Sequence, residues 1–188
     1  MSNTTTTENW SPADSPVAIA VSEAYWWQST IMLEIRRLRD DPDRRVRVSS
    51  HQIDARQLVF ALRQLITAAT LMEDVAAECG AARVVTGMAG AIQRFKDALP
   101  GVKDMRDGLM HFENWSRGTG RGPQAKRARA KELREIARDY WLFAFDREAD
   151  TLSMGPYGFS GAAAEQAARD LYGMIYEAGR VLDTPAGP

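Results

Sequence analysis

Apolar positions recur every three or four residues over most of this chain, and polar breakers cut that recurrence into separate helices. Val17, Val21, Tyr25, Met32, Ile35 and Leu38 mark a first helix, running from Ser15-Pro16 to about Asp40. Ser15 suits its N-cap and Pro16 its first turn, and Asp40-Asp41-Pro42-Asp43 stops it. A second stripe, Leu58, Leu62, Leu65, Ala69, Met72 and Ala76, predicts a helix that opens at Ser49 or Ser50 and stops at Gly80. Gln52 suits a capping box with Ser49. Val84, Met88, Ile92 and Phe95 mark a third helix, weakened by Gly87 and Gly90 or drawn by them into close contact with a neighbour.

After the turn Leu99-Pro100-Gly101, the positions Val102, Met105, Leu109 and Phe112 predict a fourth helix ending near Ser116. The period then changes. Tyr140 to Phe145 is an aromatic run that reads as a strand, with Asp146 to Asp150 as its turn and Thr151 to Met154 as a returning strand. Ser160 caps a final helix striped by Ala164, Ala168, Leu171, Ile175, Ala178 and Leu182. The expected fold is mainly α: an antiparallel bundle of about five helices with a small β-hairpin, at about 140–154, before the C-terminal helix. Residues 1–14 read as a disordered lead-in and 15–184 as one domain.

Composition narrows the setting. A net charge of −1 supplies no global field toward nucleic acid or membrane, so any such attraction is local. No apolar run reaches the roughly 18 residues that span a bilayer, and Ser2 to Glu8 lacks the apolar core of a signal peptide. The single cysteine, Cys79, makes no internal disulfide; it reads as a small buried hydrophobe, and a cytoplasmic setting is the expectation. One cysteine and two histidines argue against a structural zinc site. Glu73, Asp74 and Glu78 share one helix but lack the second ligand cluster that a metal site needs, so no cofactor is expected.

The chemistry concentrates in Arg106-Asp107-Gly108-Leu109-Met110-His111. Histidine moves a proton near neutral pH, and arginine holds a phosphoryl group that gains charge. On an unbroken helix Arg106 and His111 lie about 140° apart and about 7.5 Å along the axis. They then flank a polar strip of Lys103, Asp107, Met110 and Asn114, with Asp107 and His111 in i, i+4 contact. A twofold dimer packed along that strip would bring two copies of the motif together. On the bland reading, Arg106 and Asp107 are surface ion-pair formers and His111 is an ordinary helix residue.

An arginine, four intervening residues and a histidine on a helix of a bundle resemble the signature of the HEPN superfamily, the higher-eukaryote and prokaryote nucleotide-binding domains. The string Met105 to Glu113 carries the resemblance, and Asp107 stands where that family commonly has Asn, Asp or His. The resemblance implies a metal-independent endoribonuclease acting as a homodimer, of the kind that serves as a toxin or defence effector with an antitoxin or regulatory partner. In it His111 acts on the ribose 2′-hydroxyl or the leaving oxygen, Arg106 binds the scissile phosphate and Asp107 orients one of them. RNA, unlike DNA, supplies the internal nucleophile. In a toxin branch a tyrosine lies two residues after the histidine; here that residue is Glu113. The alternatives are a non-catalytic module that binds nucleotide, RNA or protein, and a bundle that serves only assembly.

Arg117, Arg121, Lys126, Arg127, Arg129 and Lys131 follow the motif with no acid among them. The segment 117–131, with Gly118, Gly120 and Gly122, reads either as a phosphate-holding loop or as a solvated linker. Lys103 and Asn114 join it as candidate RNA contacts. The segment is not a P-loop, since it lacks the Lys-Ser/Thr ending. His51 reads as a polar residue at a helix start. Trp26, Trp27, Trp115 and Trp141 read as core or dimer contacts rather than base-stacking platforms.

Overall fold

The computed structural model describes residues 13, 15–45, 47–119, 126 and 132–183. Seven helices and three strands lie among them: α1 (Pro16–Arg39), α2 (Ser50–Glu78), α3 (Ala82–Ala98), α4 (Val102–Met110), α5 (Phe112–Ser116), α6 (Leu133–Trp141), β1 (Phe143–Asp146), β2 (Thr151–Met154), β3 (Tyr157–Ser160) and α7 (Gly161–Asp183). The fold is mainly α, as the periodicity predicts, with two more helices and one more strand than expected. The lead-in lies almost wholly outside the described residues.

Helix α2 is the central post, in contact with α1, α3, α4, α7 and β1. Its predicted stripe from Leu58 to Ala76 is buried throughout. The chain turns back into α3 through only Cys79 to Ala81, and α7 packs against α1, α2 and α3 to close the bundle. Two predicted caps are in place. The Ser15 hydroxyl accepts from the Ala18 N–H at 3.2 Å, and the Ser160 hydroxyl accepts from the Ala163 N–H at 3.1 Å. The Ser49–Gln52 capping box does not form. Ser49 makes no side-chain cap, and Gln52 instead donates to the Phe143 carbonyl, tying α2 to β1. His51 holds the Asp40 carbonyl at 3.0 Å, in the polar role expected of it. Cys79, expected to be buried, is exposed, because the chain leaves the core as α2 ends.

The aromatic run Tyr140 to Phe145 divides differently from expectation. Tyr140 and Trp141 finish α6, and the strand begins only at Phe143. The reason is burial: Ile136 and Tyr140, one helical turn apart, fill the core together. The predicted hairpin is a three-stranded antiparallel sheet in the order β1-β2-β3. Gly155-Pro156, which reads as a break, is the two-residue turn that pairs Met154 with Tyr157. Gly101 opens α4 at φ 81°, and a Cβ there would collide with the Tyr157 ring, so glycine is required on both counts.

Arg39, at the end of α1, grips Asp150 through two nitrogens and Glu165 through a third. Asp150 also accepts from the Ala162 N–H at 2.9 Å. This network fastens α1, the β1–β2 turn and the start of α7 to one another, and the Arg39 guanidinium holds the Asp150 carboxyl below its ordinary pKa.

Glu34 is the one buried charged residue among the described residues, 4% exposed between α1 and α2. Arg37 reaches one of its oxygens at 3.1 Å, and the other has no partner. Burial raises its pKa; Arg37 opposes the rise and Asp54 adds to it. A raised carboxyl pKa means that the folded chain binds a proton more tightly than the unfolded chain. The folded state is therefore penalised progressively as pH climbs from the ordinary glutamate range through the folded value. Glu34→Gln is expected to stabilise the protein by roughly 1 kcal/mol at pH 8, the scale of one unpaired buried polar group. That gain should shrink toward pH 4. Urea unfolding of both proteins across this range checks it, and a gain that grows on acidification would contradict the assignment.

Candidate functional site

The motif does not lie on one helix. Helix α4 ends at Met110, His111 leaves helical geometry at φ −121° and ψ 45°, and α5 begins at Phe112. The His111 N–H still donates to the Asp107 carbonyl at 3.0 Å, closing the last turn of α4. The His111 carbonyl then accepts from the Asn114 N–H at 3.0 Å, starting α5. The Trp115 indole N–H donates to the Gly108 carbonyl at 2.8 Å, the acceptor that an unbroken helix would offer to the Phe112 N–H. The indole bond spans the break and ties α5 back to the last turn of α4.

The break corrects the expected geometry. His111 sits on the joint, so the separation calculated for a continuous helix does not apply. Phe112, predicted on the apolar face, is turned out and exposed. Trp115 takes the buried position instead, stacked on Tyr140 with centroids 6.1 Å apart and planes at 19°. Gly108 lies under that stack, and a side chain there would press on Tyr140 and Met154.

Arg106 and His111 each have a carboxylate beside them. Arg106 Nη1 donates to Asp107 at 2.8 Å, while its Nε is buried without a partner. Lys103 lies 3.9 Å from the other Asp107 oxygen. His111 Nδ1 lies 3.5 Å from Glu113, not against the Asp107 carboxylate. Glu113, which replaces the toxin-branch tyrosine, is therefore the side chain that faces the histidine. The imidazole is half exposed, at 55% of its side chain.

The remaining candidates scatter. Asn114 is half-buried in α5, and Arg117 is exposed just after that helix. Lys126 is exposed, and Arg121, Arg127 and Arg129, with Lys131, lie outside the described residues. Of the tryptophans, Trp115 is core, as expected, whereas Trp26 and Trp141 are exposed. No cluster of three metal-ligating side chains occurs among the described residues, and no described helix is long and apolar enough to cross a membrane.

Residues missed in the sequence adjoin the motif. Arg106, Leu109 and Met110 form one wall of a hollow of about 340 Å³, and Ile53, Arg56, Gln57 and Phe60 of α2 form the other. The spacing 53, 56, 57, 60 is a helical stripe beside the buried one, but half of it is polar, so it reads as a solvated face. Comparison with protein-family models, with curated proteins and with solved structures finds no match to this chain.

Proposed function

We propose that this chain is an endoribonuclease that works as a pair of identical copies, with Arg106 and His111 supplying the chemistry. The observation that carries this reading is the pairing at the α4–α5 joint. A solvent-reachable imidazole has Glu113 beside it, and five residues earlier a guanidinium is held by Asp107. In the proposed step His111 removes the proton of a ribose 2′-hydroxyl. The 2′-oxygen then attacks the adjacent phosphorus, and the bond to the 5′-oxygen breaks. The products are a 2′,3′-cyclic phosphate and a 5′-hydroxyl once the leaving oxygen takes up a proton. Arg106 neutralises the charge that grows on the phosphoryl oxygens, and Asp107 fixes the guanidinium for that task. Side chains alone carry the proton and the charge, so the reaction is expected to proceed in EDTA. RNA incubated with the purified protein in EDTA, with product ends identified by mass, tests the reading; intact RNA would reject it.

A second reading, RNA binding without cleavage, is favoured by one observation. Arg106 lines the hollow with Arg56, and His111 is not among its walls.

A further inference from the structure

Two hollows adjoin on the first turns of α2 and share Ile53 and Arg56. One, of about 340 Å³, is closed by α4 at Arg106; the other, of about 600 Å³, is closed by Trp141 and Phe143. Together they place two guanidiniums on the walls and no carboxylate. Arg56 makes no ion pair among the described residues. Its guanidinium lies over the Phe143 ring, 5.7 Å from the centroid. Stacking by the face leaves the N–H edge of a guanidinium open to an acceptor, and it holds the group in place beforehand. The aromatic surface is also on offer: Trp141 is 73% exposed, at the end of α6 where α2 cannot cover it. Phe60 lies in the first hollow, beyond Arg56.

We infer that this groove is a binding track for single-stranded RNA, with phosphates at Arg56 and Arg106 and bases against Trp141 and Phe60. The inference rests on the RNA reading above for the class of ligand and adds a site outside the motif. Charge complementarity selects a polyanion: no carboxylate lines the groove and Arg56 makes no ion pair among the described residues, although Arg106 is also held by Asp107. The exposed Trp141 beside those charges, with Phe60 half-buried in the first hollow, selects an anion that carries planar rings. An acidic peptide would satisfy the arginines and leave Trp141 unexplained.

The test measures anisotropy of a short fluorescent 2′-O-methyl oligouridylate, which lacks the free hydroxyl that the proposed cleavage needs, with the full chain and with Arg56→Ala and Trp141→Ala. Both side chains are exposed, and circular dichroism verifies that each variant folds. Arg56→Ala is expected to weaken binding roughly tenfold and to lower the slope of log affinity against log salt by about one. Trp141→Ala is expected to weaken binding roughly tenfold with the slope unchanged, because stacking releases no counterion. Binding that ignores both changes would overturn the track. So would a glutamate-rich peptide that binds through Arg56 when the oligouridylate does not. A change of oligomeric state in Arg56→Ala would instead assign the groove to a second copy. The two proposals fail separately. Arg56-dependent binding without cleavage leaves the track and removes the nuclease; unimpaired binding and cleavage by Arg56→Ala leaves the nuclease and removes the track.

Discussion

His111→Ala is expected to lower RNA cleavage by roughly 10²–10⁴-fold, the usual contribution of a positioned acid–base group, while leaving RNA binding nearly unchanged. The imidazole is half exposed and pairs with the equally exposed Glu113, so its loss should alter stability by less than about 0.5 kcal/mol. Arg106→Ala should behave differently. It removes a phosphate contact as well as transition-state charge stabilisation, so both binding and rate should fall, the rate by roughly 10²–10³-fold. Mixing the two inactive variants decides which copy supplies which group. If Arg106 of one copy serves His111 of the other, a mixed pair keeps one intact site and one doubly altered site. Random pairing at equal amounts then restores about a quarter of the original activity. If both groups serve one site within a chain, mixing restores nothing. Undiminished cutting by His111→Ala would remove the catalytic assignment outright.

The bundle is legible in the sequence because its signals are local. The stripe from Leu58 to Ala76 repeats without interruption, Ser15 and Ser160 stand where caps belong, and Gly80 follows the last turn of α2. The sheet is less legible. Aromatic residues favour strands on average, yet Tyr140 is held in a helix by the turn below it, where Ile136 shares its pocket. Leu133, Ile136, Ala137, Tyr140 and Trp141 do recur at helical spacing, and the strand-like aromatic run that begins at Tyr140 masks that repeat. The third strand is masked by Gly155-Pro156, read as a break when a two-residue turn was equally available.

The motif is legible in the sequence as a string of residues but not as a shape. Its helical phase predicts contact between Asp107 and His111, and the structure pairs Asp107 with Arg106 and His111 with Glu113 instead. The phase is lost because His111 leaves helical geometry, and the Trp115 indole bonded across that joint to the Gly108 carbonyl is a side-chain to backbone contact that a pattern of apolar positions does not show. The groove residues were hidden for another reason. Arg56 and Gln57 look like solvent-facing polar positions until α4 and α6 are set on either side of them.

Trp115→Ala is expected to cost about 3–5 kcal/mol, the range for emptying a large aromatic site in a core. The indole is 8% exposed, stacks on Tyr140 and holds the Gly108 carbonyl, so α4, α5 and α6 all lose a shared anchor. Against a total stability of roughly 5–15 kcal/mol, that loss brings the chain near its unfolding threshold. Trp115→Phe separates packing from geometry. Phenylalanine keeps a ring against Tyr140 but cannot donate to Gly108, so it should cost roughly 1–3 kcal/mol, the scale of a buried acceptor left unpaired. Its effect on cleavage should exceed what that loss of stability explains. Without the indole bond the tie between α5 and the end of α4 is lost, and the backbone at His111 is freed to change its angle. The imidazole then swings away from Glu113. Urea unfolding measures the two costs. RNA cleavage at a temperature where Trp115→Phe remains fully folded measures the geometry. Full activity in that folded variant would show that the indole bond does not set the angle of the α4–α5 joint.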